Sequence, residues 1–201
     1  MRLGKTNLEV NKIGFGALPI QRRNMEDSIE ILHRAYESGI DFYDTARFYT
    51  DSEEKLGRAF EDVRENIYLA SKTAAETPED FWNDLETALK ELRTDYLDLY
   101  QHHNISFCPK EGDELAKAMA EAKEEGLIRH IGITTHKITF AHEAIESGLY
   151  ETLQYPFSYL SGEEELKLVE KCKSLDVGFI AMKAMGGGLL KNSKAAYAFM
   201  N

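Results

Sequence analysis

The segment DFYDTARFYTDSEEKLG, residues 41–57, contains the transition that decides the fold of this chain. It opens with an apolar run typical of a buried strand, which ends at Asp44, and passes through a polar and aromatic stretch into sequence of helical period. A strand that leads directly into a helix is one βα unit, from which parallel sheets are built. Asp51 or Ser52 suits the N-cap of the helix, so turn chemistry explains part of the cluster. Asp44 and Tyr49 are left unexplained by it.

The same βα unit recurs along the chain. Short runs bounded by turn residues alternate with longer segments whose apolar residues lie three or four positions apart. The strands are predicted at 12–17, 41–45, 67–72, 96–103, 128–134, 152–156 and 178–185, and the helices at 25–38, 52–62, 78–92, 113–125, 138–147 and 162–174. Thr77 followed by Pro78 predicts a helix start, and Gly39, Gly126 and Gly148 predict helix ends.

Regular alternation of strands and helices predicts an α/β fold with a parallel sheet and right-handed crossovers. A run of about seven βα units favours a (β/α)8 barrel of the TIM type, and an open doubly wound sheet is the alternative. Residues 1–201 form a single domain in this interpretation. Residues 2–10 have strand-like halves about a Thr-Asn turn, which predicts an N-terminal hairpin placed to plug the bottom of the barrel.

The strand count falls one short of the eight that close such a barrel. Barrels of this type usually need about 250 residues, whereas this sequence stops inside the expected seventh helix. The first and seventh strands would then be open edges, which pair readily with another chain. We therefore expect either a C-terminally incomplete barrel or self-association through the open edges.

The composition excludes several classes of protein. A hydrophobic content of 43% is typical of a globular chain, and a formal net charge of -11 argues against nucleic acid as the main partner. No apolar run approaches the ~18 to 20 residues of a membrane helix, and the N-terminus lacks a signal-peptide core, so we predict a cytoplasmic protein without a membrane partner. Cys108 and Cys172 are too few and too far apart for a disulfide framework or a zinc site.

Polar residues end most of the predicted strands. In a (β/α)8 barrel the C-terminal strand ends meet at one mouth, where catalytic groups lie. Each such residue alone has an ordinary explanation, such as a turn cap, a snorkelling lysine or a satisfied core histidine. An acid, a base, an imidazole and an amide at one rim are harder to explain by packing than by a catalytic site, because buried charges must be paired. These residues, 20 to 31 positions apart, are Asp44, Lys72, His103, Thr134, Gln154 and Lys183.

The neighbouring residues His102 and His103 raise the question of a metal site. Successive side chains of a strand point to opposite faces of the sheet, so the two imidazoles cannot bind one ion from a regular strand. We therefore predict no metal site. If His103 faces the barrel, His102 faces the helix layer and has a structural role.

Four separated motifs resemble the aldo-keto reductase family. They are DFYDTARFYTDSEEKLGRA (41–59), YLASK (68–72), DYLDLYQHH (95–103) and EEGLIRHIGITTH (124–136). Their order and spacing match the family throughout the chain and agree with the barrel predicted from periodicity. The Met-Lys pair and the three glycines of AMKAMGGGLL, residues 181–190, resemble a microbial subgroup of that family.

The resemblance implies an NAD(P)H-dependent oxidoreductase that transfers a hydride to the carbonyl of an aldehyde or ketone. Tyr49 would be the general acid, and Asp44, Lys72 and His103 would complete the catalytic set. The Lys72 ammonium would stabilise the phenolate and so lower the pKa of Tyr49 from about 10. Asp44 would pair with Lys72, and His103 would orient the substrate oxygen.

The cofactor implied by the resemblance is NADP, with NAD as the alternative. Thr134, Thr135 and Gln154 would lie near the carboxamide, and glycines allow close approach of the backbone to the pyrophosphate. The whole set of expected cofactor contacts is Gly16, Asp44, Thr134, Thr135, Gln154, Met182, Lys183, Gly186, Gly187 and Gly188. The preference for NADP is implied by the resemblance to the family and not by residues of this sequence.

Three positions depart from the family pattern. Thr134-Thr135 replaces a common Ser-Asn pair, Met182 replaces the tyrosine that stacks on nicotinamide, and Thr50 replaces a glycine after the catalytic tyrosine. Methionine is polarizable and packs against aromatic rings, so cofactor binding need not be lost. A catalytically silent member or fragment that binds nucleotide or a partner chain is the alternative to a reductase. The sequence does not identify the carbonyl substrate.

Overall fold

A single seven-stranded sheet organises the computed structural model, which describes residues 1–200. All strand pairs are parallel, and the strands are neighbours in the order in which they occur in the chain. This order fits a β/α barrel and excludes the doubly wound sheet, in which the strand order reverses. The strands are β1 (Phe15–Gly16), β2 (Phe42–Asp44), β3 (Tyr68–Thr73), β4 (Leu97–His103), β5 (Ile128–Thr134), β6 (Thr152–Pro156) and β7 (Gly178–Met182).

Amphipathic helices alternate with the strands. Thr77 accepts a hydrogen bond from the Asp80 backbone N–H at the start of α3, and Gly39, Gly126 and Gly148 adopt φ of 78° to 88° after three other helices, as predicted. No helix within residues 1–200 is long and apolar enough to cross a membrane. The helices are α1 (Met25–Glu37), α2 (Ser52–Phe60), α3 (Pro78–Glu91), α4 (Glu114–Glu124), α5 (Ile138–Glu146), α6 (Glu163–Ser174) and α7 (Ser193–Met200).

The predicted first and seventh strands and the N-terminal hairpin are the segments that differ most from the structure. The first strand was expected over 12–17 but contains only Phe15–Gly16, because the backbone at Asn11 bonds to the Asp41 side chain and a 3-10 helix begins at Leu18. The seventh strand ends at Met182 rather than at position 185, since Lys183 adopts a φ of 60°. The N-terminal hairpin is reduced to a single antiparallel bridge between residues 2 and 9.

The N-terminal segment fills one end of the barrel. Its apolar side chains pack in a cluster with residues of β2, β3 and β4 that lie two positions before Asp44, two before Lys72 and four before His103. Because side chains alternate along a strand, these apolar residues share the inner face with the polar ones and lie deeper in the barrel. The cluster contains Leu3, Leu8, Val10, Phe42, Ala70 and Leu99.

The sheet has two open edges. Within residues 1–200, β1 pairs only with β2 and β7 pairs only with β6, and no eighth strand is present. This is the incomplete barrel expected from the sequence. Self-association through these edges stays a prediction.

Candidate active site

The ion pair between Asp44 and Lys72 lies at the centre of the barrel mouth. Asp44 ends β2, and Lys72 is the penultimate residue of β3, so the topology brings together two side chains 28 positions apart. Lys72 Nζ donates to Asp44 Oδ2 at 2.6 Å and to the Thr45 carbonyl at 2.6 Å. Lys72 is only 1% exposed, and this burial lowers its pKa while the Asp44 carboxylate opposes the shift.

Two amide side chains also donate hydrogen bonds to the Asp44 carboxylate. Gln101 Nε2 donates to Asp44 Oδ1 at 3.1 Å, and Gln154 Nε2 donates to Asp44 Oδ2 at 3.1 Å. Asp44 therefore accepts hydrogen bonds from side chains of β3, β4 and β6. Gln101 was not among the predicted site residues, although strand alternation places it on the same face as His103 and could have identified it.

Tyr49 lies on the loop after β2, beside the same ion pair. Lys72 Nζ is 5.3 Å from the centroid of the Tyr49 ring, and the rings of Tyr49 and His103 meet edge to face at 5.9 Å. Hydrogen bonds from Tyr49 N–H to the Ala46 carbonyl and from Ser52 N–H to the Tyr49 carbonyl fix the loop backbone. The structure thus brings Asp44, Tyr49, Lys72 and His103 together at one mouth.

The protonation of Tyr49 differs from the sequence prediction. Burial, together with the Asp44 carboxylate, raises the pKa of Tyr49 to about 12. The predicted lowering of this pKa by Lys72 is wrong as a net direction, because burial and the Asp44 carboxylate outweigh the ammonium, which lies over the ring and makes no hydrogen bond to the phenol oxygen within residues 1–200. Tyr49 therefore holds its proton throughout the neutral range.

His103 is a neutral imidazole near pH 7. Burial, and then the nearby Lys72 ammonium, lower the pKa of His103 to about 4. Its Nδ1 is buried and has no hydrogen-bond partner within the described part of the chain. A neutral imidazole can bind and orient a polar ligand, but it cannot act as a charged acid at neutral pH.

Comparison with known proteins then identifies the family. Residues 12–199 match the model described as the Aldo/keto reductase family. The chain belongs to the aldo/keto reductase family. A relative from Bacillus subtilis (strain 168), the uncharacterized oxidoreductase YqkF, is 29% identical over 205 residues. The match covers 94% of this chain but 65% of the relative, so the chain spans slightly less than two thirds of the relative's length.

Solved aldo-keto reductases have the same fold. The holo form of an enzyme from Bacillus halodurans superposes with a TM-score of 0.86 at 26% identity, covering 96% of this chain and 68% of that one. An aldo/keto reductase from Klebsiella pneumoniae, solved with NADP and acetate, superposes with a TM-score of 0.80 at 25% identity. That match covers 91% of this chain and 68% of the other.

The residues expected around the carboxamide of the aldo-keto reductase cofactor form a buried group. Thr134 and Thr135 are buried, Thr134 pairs with Gln154 in the β5–β6 ladder, and Thr135 N–H donates to the Gln154 carbonyl at 3.3 Å. Gln154 Oε1 is buried and lacks a partner within residues 1–200. An unpaired amide oxygen is costly unless a donor reaches it, so Gln154 fits the NH2 group of a primary carboxamide.

The three glycines after β7 form a 3-10 turn. Gly186, Gly187 and Gly188 have φ of 59°, 67° and 100°, a region that glycine adopts without strain. A Cβ at Gly187 or Gly188 would meet nothing within 4 Å, so the requirement for glycine there is conformational. The N–H groups of Gly186 and Gly188 already donate to the carbonyls of Lys183 and Met185. Phosphate binding by this loop therefore stays a prediction.

The other predicted cofactor residues lie around the rim. Gly16 ends β1 opposite Asp44 in the strand register, and Met182 ends β7. Lys183 is exposed and donates through Nζ to His136 Nε2 at 2.9 Å, while His136 Nδ1 lies 3.1 Å from Asn104 Oδ1. His136 ends the motif 124–136 but, like Asn104, was not among the predicted site residues.

Two surface grooves lie away from the mouth. They enclose about 460 and 420 Å³ and share Arg93, Thr94 and Asp95, which precede β4. This is the N-terminal end of the strands, and residues at that end of such barrels usually contribute to stability rather than to catalysis. We therefore place the site at the opposite mouth, where the polar strand ends meet.

Proposed function

We propose that this chain is a reductase that transfers a hydride from NAD(P)H to the carbonyl carbon of an aldehyde or ketone, with Tyr49 as the general acid. The observation that carries the proposal is the convergence of Tyr49 and His103 on the buried Asp44–Lys72 pair. Membership of the aldo/keto reductase family supports it. The reduced nicotinamide supplies the hydride when bound, and the protein supplies orientation and the proton.

Tyr49 is better suited than His103 to donate that proton. The pKa of Tyr49 is raised to about 12, so the phenol is fully protonated when the carbonyl oxygen gains negative charge. The pKa of His103 is lowered to about 4, so its imidazole is neutral and serves as a hydrogen-bonding group toward the substrate oxygen. The proton passes from Tyr49 Oη to the carbonyl oxygen, and the product is an alcohol.

Lys72 stabilises the phenolate that proton transfer leaves behind. Its ammonium is buried and lies 5.3 Å from the centre of the Tyr49 ring. An opposite charge at this distance favours the ionised phenol, although burial outweighs it before the reaction. Asp44 fixes the direction of the ammonium and compensates its charge in the buried mouth.

We further propose NADP as the cofactor, with NAD as the alternative. The Klebsiella pneumoniae neighbour was solved with NADP, and the unpaired Gln154 Oε1 suits a carboxamide donor. Thr134, Thr135 and Met182 would complete the contacts around the nicotinamide, and Lys183 with the glycine loop would face the pyrophosphate. Gly16, beside Asp44 on β1, permits close approach of the cofactor because it has no side chain.

The test is oxidation of NADPH by the purified 201-residue chain with a panel of simple aldehydes and quinones. Tyr49→Phe should lower kcat by roughly 10² to 10⁴, the usual contribution of a general acid. Tyr68→Phe is the matched control, because Tyr68 begins β3 at the other end of the barrel. Turnover that survives Tyr49→Phe unchanged would exclude Tyr49 as the acid.

A silent nucleotide-binding protein is the second candidate. One observation favours it: the raised pKa of Tyr49, which makes the phenol a weak acid. Titration with NADPH, followed by the fluorescence of the bound nicotinamide, separates the two candidates. Saturable binding without turnover of any carbonyl in the panel would favour the silent protein.

A further inference from the structure

Glu53 is a buried carboxylate that the catalytic set does not include. It is the second residue of α2 and only 1% exposed, although charged side chains are seldom fully buried without partners. Its carboxylate forms an ion pair with Arg47 and accepts a hydrogen bond from Ser71 Oγ to Oε1 at 2.5 Å. The adjacent Glu54 is different, since it pairs with Arg58 at the surface.

The two partners of Glu53 belong to the two segments that carry Tyr49 and Lys72. Arg47 lies on the loop between Asp44 and Tyr49, and Ser71 directly precedes Lys72 on β3. The Arg47 backbone N–H also donates to the Lys72 carbonyl at 3.1 Å. Glu53 thus connects the loop that carries the phenol to the strand that carries the ammonium.

We propose that Glu53 is a positioning residue, which holds the Tyr49 loop on β3 and so fixes the phenol relative to Lys72 and the substrate carbonyl. The proposal rests on the proposed function for its effect on catalysis. Its structural part, that Glu53 sets the surroundings of Tyr49, does not depend on turnover. Within residues 1–200, the hydrogen bonds and ion pair of the Glu53 carboxylate go to Arg47 and Ser71, and none goes to Tyr49 or Lys72.

A carboxylate suits this position better than an amide. Both partners of Glu53 are donors, and a carboxylate offers two acceptor oxygens, whereas a glutamine would point an NH2 group at one of the donors. The first turn of α2 also favours negative charge, because the unpaired N–H groups of a helix begin there. Glu53→Gln therefore breaks the connection while it keeps the size of the side chain.

The competing explanation is that Glu53 only stabilises the fold. In that case Glu53→Gln lowers the unfolding temperature but leaves Tyr49 and the chemical step unchanged in the folded fraction. A positioning role predicts that Glu53→Gln changes both the titration of Tyr49 and the rate of the chemical step. The two explanations are separated by measurements on Tyr49 itself, compared with the neighbouring surface variant Glu54→Gln.

The experiment titrates Tyr49 by NMR of ¹³Cζ-labelled tyrosine and assigns its signal with Tyr49→Phe. In the wild type we expect the pKa of about 12 that burial gives. In Glu53→Gln the loop loosens, and the pKa should fall toward the ordinary value of about 10. Glu54→Gln should leave it unchanged. An unchanged titration in folded Glu53→Gln overturns the proposal, whether or not the chain has reductase activity.

Steady-state kinetics test the catalytic part. Glu53→Gln should lower kcat for carbonyl reduction by roughly 10²-fold, the effect of a misplacement of about 1 Å, with little change in KM for NADPH. Ser71→Ala keeps the ion pair between Glu53 and Arg47 and removes only the hydrogen bond from Ser71, so we expect a smaller loss of kcat, roughly 10-fold. This milder variant decides the question if Glu53→Gln does not fold. Wild-type kcat and an unshifted Tyr49 in Ser71→Ala would overturn the proposal.

Discussion

Lys72 Nζ and Asp44 Oδ2 lie 2.6 Å apart, with the lysine 1% exposed and the aspartate 9% exposed. A buried pair of this kind is worth little relative to an apolar pair, but removal of one partner leaves an isolated charge. The pair therefore makes the mouth sensitive to single substitutions. It also keeps a cation next to the phenol of Tyr49.

Asp44→Asn should destabilise the chain by about 3 to 5 kcal/mol, because it leaves the buried Lys72 ammonium without a counter-charge. Urea unfolding at pH 7 measures the change. The double variant Asp44→Asn/Lys72→Met is the control, since it removes both charges and should recover much of the loss. If the double variant is no more stable than Asp44→Asn, the charge of Lys72 is not the cause.

The pH profile of kcat/KM should have no limb that belongs to His103 between about pH 5.5 and 8. The pKa of His103 is lowered to about 4, so its protonation, which would add a charge beside Lys72, begins only well below pH 5.5. On the alkaline side, Tyr49 keeps its proton until the pH approaches about 12, and reduction should decline as the pH rises toward that value. A limb near pH 6.5 that His103→Gln abolishes would contradict this assignment.

Stability should fall as the pH is lowered from 7 to 5, and His102 should be a main cause. Its pKa is lowered by burial from 6.5 to about 4, so the unfolded chain binds a proton that the folded chain excludes. The folded state therefore loses about 2 kcal/mol over this interval from His102 alone. His102→Gln should flatten the dependence measured by urea unfolding, and an equally steep curve in that variant would exclude His102 as the source.

Phe48 should favour carbonyl substrates that carry an aromatic or apolar group. Its ring is 68% exposed and lies 6.0 Å from the His103 ring, so it offers an apolar wall beside the proposed carbonyl position. Phe48→Ala should raise KM for an aromatic aldehyde by roughly 10-fold through lost apolar contact. A small aliphatic aldehyde serves as the control. Equal changes for both substrates would show that Phe48 acts on the fold or the mouth as a whole.

Much of the architecture could be predicted because it depends on local patterns. Each predicted helix boundary lies within two residues of the observed one, since amphipathic period and capping residues such as Thr77 are local signals. The short β1 could not be predicted in the same way. Its length depends on the bond between Asn11 and the Asp41 side chain, which are 30 positions apart.

The positions of the catalytic candidates followed from their places at strand ends, but their surroundings did not. Periodicity placed Asp44, Lys72 and His103 at one mouth. The second amide on Asp44, from Gln101, and the link from Glu53 to Ser71 depend on side-chain packing between strands and helices. The direction of the Tyr49 pKa shift depends on burial, which outweighs the nearby ammonium and which the sequence does not reveal.

The most direct test of the account is deuteride transfer to an aldehyde by the 201-residue chain from NADPH that carries deuterium at both C4 positions, followed by NMR of the alcohol. We predict one deuterium at the former carbonyl carbon in each product molecule, and a rate that Tyr49→Phe lowers by roughly 10² to 10⁴ while NADPH binding persists. Absence of deuterium in the product of the wild type, or an undiminished rate in Tyr49→Phe, would contradict the account.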